Sequence, residues 1–222
     1  MSVIAADILQ RHGHPVQRLT LRTRTAYSFR AGQYLHVKGT ACDIPLSIAS
    51  APERLPELEL HYRSVPGLPE ALEMDKLLAG DALMLTAAAG EVSCDAARQP
   101  LLLIAGGSGA AQAFSCAEHR ASQIQLETSM LWCADHADDV YERERLATWL
   151  NGSLQVCIDH RRDSCNTGLA WVRDNRHALQ HHQIILCGSP SFVYAMTDTL
   201  LEGGCERQQL QSDVYTYAPR DC

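Results

Sequence analysis

A glycine-rich turn between an apolar run and a run of helix-forming residues is the feature of this sequence that is best suited to bind a ligand. The segment LLLIAGGSGAAQAF, residues 101–114, places Gly106, Gly107, Ser108 and Gly109 at the end of a predicted strand and the start of a predicted helix. Backbone N–H groups and the positive end of a helix dipole attract an anion there, and missing side chains let a pyrophosphate approach the backbone. The turn therefore predicts a nucleotide-phosphate site, with a purely steric use of glycine as the alternative.

The second half of the chain alternates between apolar strands and helices. Four apolar segments, LLLIAG, SMLWCA, LQVCID and QIILCG, are each followed by a helical pattern, and SDVYTYA is expected as a final strand. Strands without polar alternation, separated by helices, predict a parallel sheet covered on both faces. We therefore expect an α/β domain over residues 98–222, whose ligands bind at the carboxyl ends of its strands.

The first half has the pattern of an antiparallel β domain. Short runs of β-forming residues, bounded by proline and glycine, are VQRLTLRT, QYLHVKG, LSIAS, ELELHYRS and DALMLTA. Such spacing is typical of a barrel or a sandwich. We expect this domain over residues 1–97, with one helical insertion, LPEALEMDKLL, between its last two strands.

Composition excludes several classes of function. The 222 residues carry a formal charge of −7 and no block of Lys or Arg, which argues against a nucleic-acid partner. The absence of a basic and apolar leader pattern, and of any apolar run near the length of a bilayer, predicts a cytoplasmic protein without membrane contact. The nine cysteines are scattered without a C-x-x-C pair, so neither a metal cluster nor a disulfide framework is expected.

An ordered series of segments resembles the ferredoxin reductase-like flavoproteins, and among them the bacterial NAD(P)H:flavin reductases. The segments are FRAGQYLHVKG, IPLSIASAP, LELHYRSVPG, GDALMLTAAAGE, LLLIAGGSGAAQAF, MLWCADHADDVY and IILCGSPSFVYAM. The resemblance covers nearly the whole chain. It implies a six-stranded antiparallel Greek-key β-barrel that binds flavin, followed by a parallel-sheet α/β domain that binds NAD(P)H.

The resemblance also implies the chemistry, which is hydride transfer from nicotinamide C4 to flavin N5 in a cleft between the domains. It gives catalytic roles to Ser47, near flavin N5, and to Cys187, beside the nicotinamide carbon. A strand serine satisfied by its neighbours and a buried apolar cysteine are the alternatives. The implied cofactor-binding residues are Pro45, Leu46, Ser47, Ile48, His61 and Tyr62 in the barrel, and Gly106, Gly107, Ser108, Gly109, Asp135, Cys187, Gly188, Ser189, Pro190 and Tyr215 in the α/β domain.

Four positions qualify this assignment. Ile44 and Leu46 stand where the family usually has an arginine for the flavin phosphate and an aromatic residue for the isoalloxazine ring. The missing charge-assisted contact favours weak flavin binding. Asp135 stands where many members carry an arginine, which favours NADH over NADPH, although a helix-start role is an equal alternative. Tyr215 shares a strand face with Tyr217, where core packing is the alternative to flavin contact.

The sequence therefore predicts an NAD(P)H-dependent flavin reductase with weakly bound flavin. The flavin is FAD or FMN, held as a cofactor or used as a substrate, and the nucleotide is NADH or NADPH. One alternative is the FAD-containing reductase component of an oxygenase, which passes electrons to an acceptor protein. A second is a non-catalytic nucleotide-binding module with a degenerate flavin site.

Overall fold

Two β-sheets of different character build the chain, one antiparallel and one parallel. The computed structural model describes residues 3–95, 99–123, 126–159 and 166–220. The antiparallel sheet comes first, and its six strands are β1 (Val3–His12), β2 (Val16–Thr23), β3 (Tyr34–Val37), β4 (Ile44–Ser47), β5 (Glu57–Arg63) and β6 (Ala82–Thr86).

The six strands follow the spatial order β4-β3-β6-β1-β2-β5, and an isolated bridge between Ile48 and Leu60 brings the two edges together. Alternate side chains fill one apolar core, whose fully buried members include Leu19, Leu35 and Leu85. The expected six-stranded antiparallel barrel is confirmed. The helical insertion is confirmed as well, as α1 (Pro69–Leu78).

Strand β1 is the barrel strand that the alternation pattern did not reveal. Among its residues only Ala6 is fully buried, and the last four residues of the strand are exposed. Its pairing with β2 also shifts register between Ile8 and Gln10. A strand with a single small buried residue and a register shift carries little of the period-2 signal on which sequence assignment depends.

The parallel sheet has the spatial order β11-β10-β7-β8-β9. Its strands are β7 (Leu101–Gly106), β8 (Thr128–Ala134), β9 (Leu154–Ile158), β10 (Gln183–Cys187) and β11 (Leu210–Gln211). The helices of this domain are α2 (Ala110–Gln123), α3 (Arg143–Ala147), α4 (Asn166–Leu179), α5 (Pro190–Glu202) and α6 (Val214–Tyr217). Apolar clusters lie on both faces of the sheet, so the expected α/β domain is confirmed.

Two predicted elements of this domain were wrong. The long helix expected over DDVYERERLATWL is only α3, five residues long, because Glu142 before it has a φ of +49° and interrupts helical continuity. The final strand expected over SDVYTYA is the one-turn helix α6. There the Ser212 hydroxyl accepts a hydrogen bond from the amide of Val214, and Val214 packs into the core, so local capping and burial outweigh the strand propensity of valine and tyrosine.

The expected boundary after residue 97 lies outside the described residues. On either side of it, β6 ends at Thr86 and β7 begins at Leu101. None of the helices in the described ranges combines the length and the apolar character needed to cross a bilayer. The cytoplasmic location stays a prediction.

An aromatic cluster packs the second domain against the barrel. Phe114 of α2 is fully buried and stacks on Tyr141, with ring centroids 5.6 Å apart. Trp132 of β8 and His61 of β5 each meet the Phe114 ring edge-on. Because His61 belongs to the barrel, this cluster crosses the domain boundary and fixes α2 against β5.

A buried polar network accompanies these rings. In this interdomain network, Glu59 and His61 come from β5, and Tyr141 and Arg145 come from the α/β domain. The Glu59 carboxylate accepts hydrogen bonds from Nε2 of His61, at 2.6 Å, and from Nη1 of Arg145, at 2.8 Å. Since a carboxylate only accepts, Nε2 of His61 carries the proton and Nδ1 accepts from the Tyr141 hydroxyl at 2.8 Å.

The charges of the network are set by burial and by these contacts. Burial alone would raise the pKa of Glu59, but the hydrogen bonds from His61 and Arg145 outweigh it and hold that pKa well below its ordinary value. Burial lowers the pKa of His61, which keeps the imidazole neutral. The network is therefore an ion pair of Glu59 with Arg145, to which Arg54 adds a contact of 3.2 Å, and a neutral His61 links Glu59 to the Tyr141 hydroxyl.

We expect Glu59→Gln to lower the free energy of unfolding at pH 7 by about 3 kcal/mol, because the variant leaves Arg145 without its buried counter-charge. A depressed pKa contributes stability above the ordinary carboxyl value and loses it as the pH falls toward the folded value. The difference between wild type and variant should therefore shrink below pH 4.5, the ordinary value for this group. Urea unfolding at several pH values measures both effects.

Glu57→Gln is the matched control, since Glu57 lies two residues earlier on the same strand in a partly exposed pair with Arg22. Such pairs contribute at most about 1 kcal/mol. Equal losses in the two variants would contradict a special role for the buried network.

Candidate active-site cleft

A cleft of about 940 Å³ lies between the two domains. One wall is formed by β4 and β5 of the barrel. The opposite wall is formed by the turns that follow β7, β8 and β10, together with α6. Because the carboxyl ends of the parallel strands meet at this edge, the cleft lies where open α/β sheets bind ligands. Its volume lies within the range of small-molecule sites.

Most of the site residues expected from the sequence line this cleft. They are Pro45, Leu46, Ser47, His61 and Tyr62 on the barrel side, and Gly106, Gly107, Ser108, Gly109, Asp135, Gly188 and Ser189 on the α/β side.

The glycine-rich turn has a defined shape. Residues 107–109 form a 3₁₀ turn that leads directly into α2, and Gly107 has a φ of +53°. The Trp132 indole donates a hydrogen bond of 3.1 Å to the Gly107 carbonyl, which holds this conformation. A Cβ added at Gly107 would meet no atom within 4 Å. The Gly107 backbone is therefore accessible from the cleft.

The neighbouring glycines make room for the protein itself. A Cβ at Gly109 would come within 2.6 Å of the Cys187 carbonyl oxygen, so this glycine permits close packing of the turn against β10. A Cβ at Gly106 or at Gly188 would lie 2.9 Å from the ring of Phe192. The steric alternative raised for the turn thus applies to Gly106 and Gly109, and Gly188 likewise makes room for Phe192, whereas Gly107 is left open.

Phe192 is a cleft residue that sequence reasoning missed. It lies in the first turn of α5, and its ring covers the Gly106 and Gly188 backbone on the α/β side of the cleft. The Ser189 side chain caps the same turn by accepting a hydrogen bond from the Phe192 amide. Ser189 followed by Pro190 is also the sequence signal of a helix start, and the structure confirms that signal.

Four of the expected site residues do not line the cleft. Cys187 is 2% exposed and packs among core residues, where burial raises the pKa of its thiol. Ile48 is fully buried in the barrel core. Pro190 is exposed at the first position of α5. Tyr215 bonds to the Thr197 hydroxyl and packs against the second apolar face of the sheet.

Tyr217 lines the cleft in place of Tyr215, and 59% of it is exposed. The expectation that both tyrosines share one face depended on a strand. In a helical turn, residues two apart point to nearly opposite sides, so only one of them can reach the cleft.

The β4 part of the barrel wall is apolar apart from Ser47, whereas β3 and β5 add polar side chains to the wall: Tyr34, His36, His61, Tyr62 and Arg63. Ile44 and Leu46 are almost fully buried beneath the cleft surface, and Ser47 is half-buried beside them. The Tyr62 hydroxyl is buried, and its contact with the Ser64 side chain lies outside normal hydrogen-bond geometry. An unsatisfied buried hydroxyl in a cleft wall is suited to a polar group of a bound ligand.

The charged groups of the cleft are mostly acidic. Arg63 is the single Lys or Arg among the described lining residues, and its guanidinium pairs with Asp139 at 2.8 Å. The carboxylates of the lining are Glu70, Asp135, Asp139, Asp159 and Asp213. Such a surface disfavours a phosphate group wherever backbone N–H groups do not compensate.

Asp213 is a second residue that sequence reasoning missed. It precedes α6, and its carboxylate accepts hydrogen bonds from Nε2 of Gln112, at 2.8 Å, and from the Glu91 amide. Burial raises the pKa of this carboxyl group. In the sequence, Asp213 is one polar residue of the segment SDVYTYA, which was expected to be a strand, so no motif marks it as a site residue.

The cleft fits an aromatic ring on its barrel side and a nucleotide diphosphate on its α/β side. The Ile44–Ser47 wall, with the unsatisfied Tyr62 hydroxyl, offers an apolar surface and hydroxyl groups but no cation. The Gly107 turn at the start of α2 offers open backbone to an anion. The residues present thus fit a flavin ring and a nicotinamide nucleotide.

Two alanine variants separate the roles of the glycines. Gly109→Ala should lower the free energy of unfolding by about 1–3 kcal/mol, because its Cβ forces the turn away from β10. Gly107→Ala should cost about 1 kcal/mol through backbone strain alone, with no new clash. Urea unfolding of both variants tests this order, and an equal or reversed order would contradict the steric assignment.

Comparisons with known proteins agree with this architecture. No protein-family model matches the sequence. A probable flavin reductase from Vibrio harveyi is 27% identical over 218 residues, which cover 90% of this chain and 93% of that protein. The reductase component of propane 2-monooxygenase from Rhodococcus jostii is 25% identical over 210 residues, covering 86% of this chain but only 56% of its own length.

Among solved structures, the ferredoxin reductase in carbazole 1,9a-dioxygenase superposes with a TM-score of 0.82 at 19% identity, over 96% of this chain and 69% of that one. This likeness establishes the two-domain fold. The similarity to the named reductases indicates that the chain is an oxidoreductase, and its two-domain fold is similar to that of the ferredoxin reductase-like flavoproteins.

Proposed function

We propose that this protein is an NAD(P)H-dependent flavin reductase that takes flavin as a loosely bound, diffusible substrate. The reaction moves a hydride from nicotinamide C4 to flavin N5. The observation that carries the proposal is the asymmetry of the cleft. The α/β wall offers an anion-binding turn, whereas the barrel wall offers an apolar surface without a free cation for a flavin phosphate.

The α/β wall would hold the nucleotide. Backbone N–H groups of the turn at Gly107 and the positive end of α2 would bind its diphosphate. Asp135, half-buried at the end of β8, lines the cleft where it can accept a hydrogen bond from a ribose hydroxyl. The same carboxylate would repel a 2′-phosphate, so NADH is the preferred donor.

The barrel wall would hold the flavin ring. Leu46 and Pro45 offer an apolar surface, and the hydroxyl groups of Ser47 and Tyr62 offer hydrogen bonds to the polar edge of the ring. Ile44, where the family has its arginine, adds no charge. Binding by the ring alone favours exchange of flavin with solution.

Flavin reduction by NADH also takes up one proton. Asp213 is a cleft carboxyl group whose pKa is raised by burial, so it holds a proton to a higher pH than an exposed aspartate does. Its side chain is fixed by Gln112 of α2. We assign Asp213 as the group that relays this proton.

Phe192 would act as a positioning surface. Its ring covers the backbone of Gly106 and Gly188, where the nicotinamide must approach the end of β10. Cys187, whose side chain lies in the core, would take part only through its backbone unless the nucleotide shifts this segment. Positioning of two rings in one cleft is the main contribution expected of such a protein.

The proposal is tested by NADH oxidation with the purified protein, first without addition and then with riboflavin, FMN or FAD. We expect turnover only when flavin is added, with riboflavin at least as good a substrate as FMN or FAD, because the barrel wall has no free cation for their phosphates. Activity in a yellow preparation without added flavin would contradict the diffusible-substrate mechanism. Binding of NADH without turnover under any condition would contradict the enzymatic function.

Ser47→Ala tests the barrel wall. Removing a hydroxyl that bonds to the reacting ring should lower kcat by about 10- to 100-fold. Ser122→Ala, at an exposed serine of α2, is the control and should leave kcat unchanged. Equal activity in the two variants would remove Ser47 from the mechanism.

Asp135→Asn tests the nucleotide preference. Loss of the carboxylate should raise kcat/KM for NADPH relative to NADH by about tenfold, because the repulsion of the 2′-phosphate is removed. The control is Asp138→Asn, at an exposed aspartate three residues further on. An unchanged ratio in Asp135→Asn would support the helix-start role of this residue.

A second candidate function is the reductase component of an oxygenase. It is favoured by the similarity to the propane 2-monooxygenase reductase, of which this chain spans about half, and by the fold of the carbazole dioxygenase reductase. Such a protein would retain FAD and reduce a separate acceptor protein. A purified protein that stays yellow and reduces an artificial one-electron acceptor without added flavin would favour this function.

A further inference from the structure

A cysteine, an aspartate and a histidine converge at a point of the domain interface away from the cleft lining. Cys94 and Asp95 belong to the segment between β6 and β7, and His119 lies on α2. The Cys94 Sγ, an Asp95 carboxylate oxygen and a His119 ring nitrogen all lie within 4.8 Å of one another. We propose that these three residues form a binding site for a divalent metal ion of the zinc type.

The spacing of the three groups is close to what zinc requires. Zinc–ligand bonds of about 2.0–2.3 Å in a tetrahedron place the ligand atoms about 3.3–3.6 Å apart. Nε2 of His119 is 2.8 Å from Oδ1 of Asp95, so these two atoms need to separate slightly while Cys94 closes in.

The histidine is oriented as a metal ligand usually is. Its second ring nitrogen, Nδ1, lies 2.8 Å from the Glu53 carboxylate, which belongs to the turn after β4. Ligating histidines commonly donate their other N–H to such a carboxylate. In the present geometry Nδ1 of His119 lies at ion-pair distance from Glu53 but makes no hydrogen bond of normal geometry among the described residues, so a small rotation of the ring would be needed to form that bond.

The donor set selects among metals. A thiolate and an imidazole are preferred by zinc and its neighbours in the transition series, whereas magnesium and calcium prefer oxygen ligands alone. Cys94 is fully buried, while the side chains of Asp95 and Glu53 are 45% and 38% exposed. The site is thus closed toward the core and open toward solvent, which provides an entry path and a position for a water ligand.

The three ligands come from segments that meet only in the folded chain. Cys94 and Asp95 lie in the segment after the barrel, and His119 belongs to the α/β domain. Glu53, which contacts His119, belongs to the barrel. A metal ion here would tie α2 to the segment that follows the barrel, and the Glu53 contact of His119 would extend this link to the barrel itself. The site would therefore stabilise the relative position of the two domains.

Cobalt(II) titration of the reduced, metal-free full-length protein tests the proposal. Thiolate coordination gives a charge-transfer absorption in the near ultraviolet, so we expect this band to saturate at one equivalent and to disappear on addition of zinc. Zinc should also raise Tm. A protein that shows neither the band nor a zinc-dependent rise in Tm would overturn the proposal and leave His119 as a protonated histidine between two carboxylates.

Variants identify the ligands. Cys94→Ser should abolish the cobalt band, His119→Gln and Asp95→Asn should weaken cobalt binding strongly, and Glu53→Gln should weaken it by about tenfold or more. His177→Gln and Asp174→Asn, at exposed positions on α4, are the matched controls and should bind cobalt as wild type does.

Because Asp95 is exposed, Asp95→Asn should fold even if Cys94→Ser does not, so cobalt binding can still be tested. Cobalt binding by Asp95→Asn and His119→Gln that equals wild type would overturn the site. Because the readouts are absorption and Tm, this result is independent of whether the protein reduces flavin.

Discussion

The Glu59 carboxylate, buried where β5 meets the α/β domain, is the contact on which the geometry of the molecule depends. It receives hydrogen bonds from its own strand through His61 and from the other domain through Arg145. A buried carboxylate tolerates little displacement of its partners, because each lost contact exposes an uncompensated charge. The two walls of the cleft are attached to these same elements. The network therefore fixes the distance across which two bound rings would meet, and the aromatic contacts of Phe114 add rigidity around it.

A second set of contacts extends this constraint to the rim of the cleft. Gln112 of α2 donates to the Gly32 carbonyl of the barrel and to Asp213 before α6. The same Asp213 accepts from the Glu91 amide in the segment that joins the domains. A carboxyl group held by three parts of the chain is partly withdrawn from water, which is the physical cause of its raised pKa. The contacts that join the domains therefore also keep a carboxyl group with a raised pKa at the edge of the cleft.

The sequence predicts the elements of this protein better than it predicts the contacts between them. Apolar strands such as β7 and β10 and the Ser189–Pro190 helix start carry local signals, and both were correctly placed. Strand β1 and helix α6 were missed because tertiary packing, rather than local pattern, decides them. In the cleft, the position of Gly107 follows from local sequence, whereas Phe192 and Asp213 enter only because the fold turns them inward. The convergence of Cys94 with His119 is similarly invisible, since metal-site spacing rules apply to ligands that are close in sequence.

Under the proposed function, the distribution of charge across the cleft would give the nucleotide and the flavin different residence times. Backbone N–H groups at the start of α2 can bind a diphosphate without a positively charged side chain, so the acidic character of the lining does not prevent nucleotide binding. The barrel wall has no such donors, and Arg63 is neutralised by Asp139. A flavin ring there would be held by apolar area and a few hydroxyl contacts, and any phosphate attached to it would gain nothing from the wall. The absence of an arginine at Ile44 is thus only one reason why this wall disfavours a phosphate, because the surrounding acidic groups also repel it. A cleft of this kind suits an acceptor that must leave after each turnover.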